Sequence, residues 1–110
     1  MSNLQASVAS MDIDALIGRS DHPVLIDCYT PGCGPCAALS PLLDQLSADL
    51  ADQLTIEKID VSKFPDVARR FEVRSVPTLL LFKSGALAGT RTGAASRAQL
   101  LTWLSAQEAI

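Results

Sequence analysis

Apolar positions along the chain switch between two spacings, and the switches mark the elements. Val24–Tyr29 (VLIDCY) is a short apolar run without alternation, the pattern of a central strand covered on both faces. Thr30-Pro31-Gly32 breaks it. From Gly34 to about Leu50 the period becomes 3.6, with Leu39, Leu42, Leu43, Leu46 and Leu50 on one stripe of a predicted helix. Pro41 falls inside that helix, where it removes a backbone donor and is expected to kink it. Leu54–Val61 reads as a second strand, and Pro65 and Asp66 open a short helix that buries Val67 and Phe71. Thr78–Phe82 (TLLLF) is a third strand. Lys83-Ser84-Gly85 is a hairpin turn into a polar-leaning edge strand, Ala86–Thr92. Ser96 and Gln99 have capping-box spacing before a last helix that carries Leu100, Trp103 and Leu104 into the core. Near the start, Ser10 is expected to cap a helix over Asp12–Ile17, with Gly18 as its stop. The order is helix, strand, helix, strand, helix, hairpin, helix. It predicts an α/β domain of three layers around a mixed sheet, parallel in its first half.

Length and composition narrow the class. The 110 residues predict a single domain, residues 1–110, long enough for a real core. At 48% hydrophobic and 19% charged the chain is too apolar for intrinsic disorder. A net charge of −3 argues against nucleic acid as a partner, which needs a basic face. No apolar stretch approaches about 18 residues, so no membrane span is expected. Residues 1–10 lack Lys, Arg and an apolar block, so no secretory leader is expected there. Three cysteines are too few for a secreted disulfide scaffold, and the expected location is cytoplasmic, with thiols reduced.

The candidate chemistry lies in Cys33-Gly34-Pro35-Cys36, at the junction of a predicted strand and a predicted helix. Cysteines at i and i+3 on a helix are neighbours, with Cα atoms roughly 5 Å apart, inside the range a disulfide tolerates. Such a pair can open and close without moving the backbone. Pro35 suits the first helical turn, where a missing N–H costs nothing. Cys33 precedes the helix and sees its positive end, which favours the reactive thiolate by roughly one pKa unit. Cys36 lies deeper and is expected to be more buried and less ionised. Cys33 is therefore the candidate nucleophile and Cys36 the candidate resolving thiol. A zinc half-site is the other use of this spacing. It would have to recruit Cys28 and His22, and a covered strand is a poor place for a ligand. Asp27 is the anomaly of its strand. It is either buried in the covered strand, where burial raises its pKa and readies it to accept a proton, or turned to solvent at the strand's end.

CGPC after an apolar strand, Pro41 within the following helix, Val76-Pro77-Thr78 before TLLLF, and Gly93 after the hairpin together resemble thioredoxin. The resemblance covers Val24 to Trp103. It implies the thioredoxin fold, α/β/α with a central mixed β-sheet, and thiol–disulfide exchange that reduces protein disulfides with no cofactor beyond the Cys33–Cys36 pair. It implies Asp27 as proton acceptor for Cys36 by way of a water, and Lys58 as the lysine that pairs with Asp27. It also implies a cis Val76–Pro77 bond packed against the thiols. The substrate groove would then comprise Gly32, Gly34, Pro35, Val76, Pro77 and Gly93, with the Val76 backbone pairing to an extended client segment. The partners implied are protein disulfides and a thioredoxin reductase-type donor, and the protein is expected to be a monomer without metal.

The chain departs from the family pattern beside the site. Gly32 stands where most thioredoxins carry tryptophan, Tyr29 is the upstream aromatic, and Ala37 replaces a frequent basic residue. These changes remove a flat apolar contact and a cation, and bear on partner choice and redox poise. A non-catalytic module with a thioredoxin-like surface is the competing function.

Overall fold

In the computed structural model, which describes residues 12–18 and 21–110, strand β1 (Val24–Tyr29) is the axis on which the rest is built. Helix α1 (Ile13–Gly18) precedes it. Helix α2 (Gly34–Asp49), strand β2 (Thr55–Asp60) and helix α3 (Pro65–Arg70) follow. Strands β3 (Thr78–Lys83) and β4 (Ala86–Thr92) form a hairpin, and helix α4 (Arg97–Ala106) closes the chain. The sheet order is β2-β1-β3-β4. β1 runs parallel to β2 and antiparallel to β3, and β3 runs antiparallel to β4. The expected mixed sheet, parallel in its first half, is the one observed.

Each face of the sheet carries its own core, because side chains alternate along a strand. Val24, Ile26 and Cys28 of β1, with Leu80 and Phe82 of β3, pack against Ile13 and Ile17 of α1 and Val67 of α3. Leu25 of β1, with Leu79 and Leu81 of β3, packs against Leu39, Leu43 and Leu46 of α2 and Leu100 and Leu104 of α4. This is the three-layer arrangement. It also decides which way Asp27 points: two residues after Leu25, it shares the α2 face. Leu42, Leu50, Phe71 and Trp103 pack at the margins of these cores rather than inside them. His22 is half-buried. No described helix is long and apolar enough to cross a membrane.

Local chemistry explains most boundaries. The Asp12 carboxylate accepts the Ala15 N–H at 3.1 Å and caps α1, while Ser10, the expected cap, lies outside the described residues. Helix α2 continues through Pro41 without a break. The β3–β4 loop is Ser84-Gly85 alone, with φ of 53° and 81°, the two positive values a tight type I′ turn requires. Ser96 accepts the Gln99 N–H and Gln99 returns the bond, which is the capping box expected at the start of α4.

Candidate active site

The end of β1 and the start of α2 are joined by Thr30-Pro31-Gly32-Cys33, and Gly32 takes a φ of +77°. A proline followed by a glycine with positive φ is the signature of a type II turn. A Cβ at Gly32 would meet nothing within 4 Å, so the backbone conformation, not crowding, selects glycine here. The turn delivers Cys33 to the N-cap of α2, where its Sγ accepts the Cys36 backbone N–H at 3.2 Å. A sulfur in that position meets the unpaired amide groups and the positive end of a 16-residue helix. Cys36 is 5% exposed, one turn deeper, whereas Cys33 is half-buried. The two are joined as a disulfide, with Cα atoms 5.2 Å apart. Pro35 occupies the first helical turn, and Gly34 and Pro35 are both exposed beside the sulfurs.

The Val76–Pro77 bond is cis. The Val76 carbonyl oxygen lies 3.9 Å from Cys33 Sγ, which brings residues 43 positions apart to one sulfur. The Gly93 amide donates to the Pro77 carbonyl at 2.9 Å, and Thr78 Oγ1 donates to the Ser75 carbonyl at 2.6 Å. These bonds tie the loop before β3 and the end of the hairpin together next to the sulfurs.

On the other side of the disulfide a pocket of about 320 Å³ opens, with Asp27 at its sheet end and Gly32, Cys33, Cys36, Ser40 and Lys58 along its walls. Asp27 is 2% exposed and its Oδ1 is buried with no hydrogen-bond partner. Burial pushes its carboxyl from 3.8 up to about 6, against a smaller downward pull from the Lys58 charge. Of the two readings left open for this residue, the structure has the buried one. Cys28, the free cysteine, is fully buried on the opposite face, and burial aided by the Asp27 charge raises its thiol to about 12. It behaves as a small core residue. Among the described residues no group of three or more His, Cys, Asp or Glu is placed to hold a metal ion.

Lys58 differs from expectation. It faces Asp27 across the β1–β2 register, yet its ammonium makes no hydrogen bond to that carboxylate. Nζ instead donates to Ser40 Oγ at 2.6 Å and to Asp44 Oδ1 at 2.7 Å. The reason is geometric. Ser40 and Asp44 are i, i+4 on α2 and present adjacent polar groups toward β2, where a flexible four-carbon side chain reaches them more easily than it reaches into the buried floor. Sequence reasoning missed both α2 residues. Their signal was the i, i+4 spacing of a hydroxyl and a carboxylate on the helix that carries the thiols.

The sequence profile of the Thioredoxin family matches residues 5–106 of this chain. The chain belongs to the thioredoxin family. It is 38% identical over 104 residues to a thioredoxin of Acidithiobacillus ferridurans, covering 94% of each chain. It is 36% identical over 102 residues to a thioredoxin of Rhodospirillum rubrum, covering 93% of this chain and 96% of that one. A thioredoxin of Mycobacterium bovis is 40% identical over 102 residues, covering 93% and 86%. Family membership and the disulfide-forming Cys33–Cys36 pair make the chain a thiol–disulfide oxidoreductase.

Proposed function

We propose that Cys33 is the attacking sulfur and Cys36 the resolving sulfur of this protein-disulfide reductase. The Cys33 thiolate attacks one sulfur of a client disulfide, and the other client sulfur leaves as a thiolate that takes a proton from solvent. A mixed disulfide now joins Cys33 to the client. Cys36 then passes its proton to Asp27 by way of a water and attacks Cys33 Sγ. The client's second sulfur departs, and the Cys33–Cys36 disulfide remains. The client has gained two electrons and the reductase has lost them, and a thioredoxin reductase-type donor restores the dithiol. The observation that carries this assignment is the position of Cys33 Sγ at the α2 N-cap, bonded to the Cys36 amide.

The client would lie as an extended segment across Gly32, Gly34, Pro35, Val76, Pro77 and Gly93. The approach of the Val76 carbonyl to Cys33 Sγ supports that path, because main-chain pairing at Val76 would hold a client disulfide over the attacking sulfur. Three cysteines, too few for a disulfide scaffold, support a cytoplasmic setting.

Insulin reduction by dithiothreitol tests the roles. The protein should accelerate turbidity, Cys33→Ser should abolish the acceleration, and Cys36→Ser should trap clients as mixed disulfides on non-reducing gels. Equal turbidity with and without Cys33 would sink the reading. A Cys33→Ser, Cys36→Ser double variant that kept biological activity would point to the interaction module instead.

A further inference from the structure

Lys58 is the cation whose charge acts on the buried carboxyl of Asp27, and the fold directs its ammonium elsewhere. Lys58 and Asp27 are register partners on adjacent parallel strands, so their side chains leave the sheet on the same face. An ammonium drawn toward that carboxylate would give Asp27 the partner its buried Oδ1 lacks. Instead Nζ is anchored between Ser40 Oγ and Asp44 Oδ1, with the Ser40 carbonyl 3.5 Å away. Both anchors sit on α2, one and two turns beyond Cys36.

We propose that Ser40 and Asp44 are positioning residues for the resolving step: by anchoring Lys58 on helix α2 they keep its ammonium from closing on Asp27, so that Asp27 remains free to take the Cys36 proton. A carboxylate tightly paired with an ammonium is a poor proton acceptor, because accepting the proton means losing the ion pair. A carboxyl with no cation nearby in so buried a place would hold its proton at neutral pH and could not accept another. The anchored lysine, close enough to be felt and too far to bond, lies between these limits. The opposing influences on Asp27, burial raising its pKa and Lys58 lowering it only in part, agree with that geometry.

The other groups around Asp27 leave this role to Lys58. From its own strand come Tyr29, on the same face, and the Cys28 thiol on the opposite one. From β2, Asp60 accepts the backbone N–H and hydroxyl of Ser62 and is occupied there. From α2 come Cys33, Cys36 and the two anchors. Across the sheet, β3 places Leu79 opposite Asp27, and α4 contributes Leu100 and Leu104 to the same apolar cluster.

The inference rests on Asp27 as the proton acceptor, and the experiment separates the two. The rate of insulin disulfide reduction by the pre-reduced protein is measured from pH 5 to pH 9, with the Asp27 carboxyl followed by NMR in the same samples. In Asp27→Asn the limb of the profile that follows the carboxyl should vanish. If it persists, Asp27 is not the acceptor and the inference falls with that reading. In Asp44→Asn the limb and the carboxyl titration should move down together by about one pH unit, the size of effect an opposite charge imposes at close range. Ser40→Ala should move them the same way by less. Asp44 is 69% exposed, so its substitution leaves the core intact. The deciding comparison is Asp44→Asn in a Lys58→Met background, where the shift should disappear. A shift of the same size without Lys58 would mean that Asp44 acts by its own charge, and no shift in either background would mean that it does not act at all. Either result overturns the proposal.

Discussion

Asp27 has a cost and a use, and both depend on pH. With 2% of its surface exposed and one oxygen unpartnered, it destabilises the fold whenever it ionises. Its value of about 6 in the folded protein lies above the ordinary 3.8. Below about pH 4 folded and unfolded chains both hold the proton, and no penalty exists. Between about pH 4 and about pH 6 the unfolded chain releases it first and stability falls. Above that window the loss is complete, at about 3 kcal/mol. Urea unfolding of Asp27→Asn should therefore show the variant gaining about 3 kcal/mol on the parent between about pH 4 and about pH 8, as its exchange activity drops. A gap that does not change with pH would mean that water reaches the carboxyl freely. At this scale the sequence was half legible. A carboxylate in VLIDCY announces itself, but the face it takes depends on which neighbours the strand's two sides meet. Lys58 was legible as the matching cation, while its actual partners depend on the rotation of α2 about its axis.

Helices and strands were legible where their ends carry recognisable side chains and less so where the backbone alone does the work. The Ser96–Gln99 box and the Ser84-Gly85 turn fall where their residues place them. The ends of α3 and α4 carry no glycine, yet both close in the same motif. The Glu72 N–H bonds the Arg69 carbonyl and the Val73 N–H bonds that of Ala68, while Glu108 and Ala109 repeat this with Ser105 and Leu104. Glu72 and Glu108 take φ of 56° and 58° to do so. That region costs a side-chain-bearing residue roughly 1–2 kcal/mol, and glycine far less. Glu72→Gly should thus raise stability by about 0.5–1 kcal/mol after the extra freedom of glycine in the unfolded chain is subtracted. The ion pair it deletes, Glu72 with Arg74 at 3.7 Å, is largely exposed and contributes little. A fall in the urea midpoint would mean that this pair matters more than the backbone.

Taken as a molecule, the protein is held by its two apolar layers and not by its surface charges. Arg70–Asp14 joins α3 to α1 and Arg97–Asp49 joins α4 to α2, both in solvent. Leu43, by contrast, is fully enclosed on the α2 side of the sheet. Leu43→Ala should lower unfolding free energy by about 2–5 kcal/mol, while Arg97→Ala should stay within about 1 kcal/mol. Comparable losses for the two in urea titrations would refute this division. The layering itself was legible from periodicity, since alternating strand positions and a leucine stripe need partners on both sides of one sheet. Helix α2 serves both the chemistry and the packing: Cys33 caps it, its first turn holds Cys36, and Leu39, Leu43 and Leu46 fasten the remainder. Electrons therefore enter and leave at the exposed start of a helix whose later turns are packed in the core. With Cα atoms 5.2 Å apart, the pair can close or open by side-chain rotation, so a client has no large rearrangement of the fold to wait for and the encounter itself should set the pace.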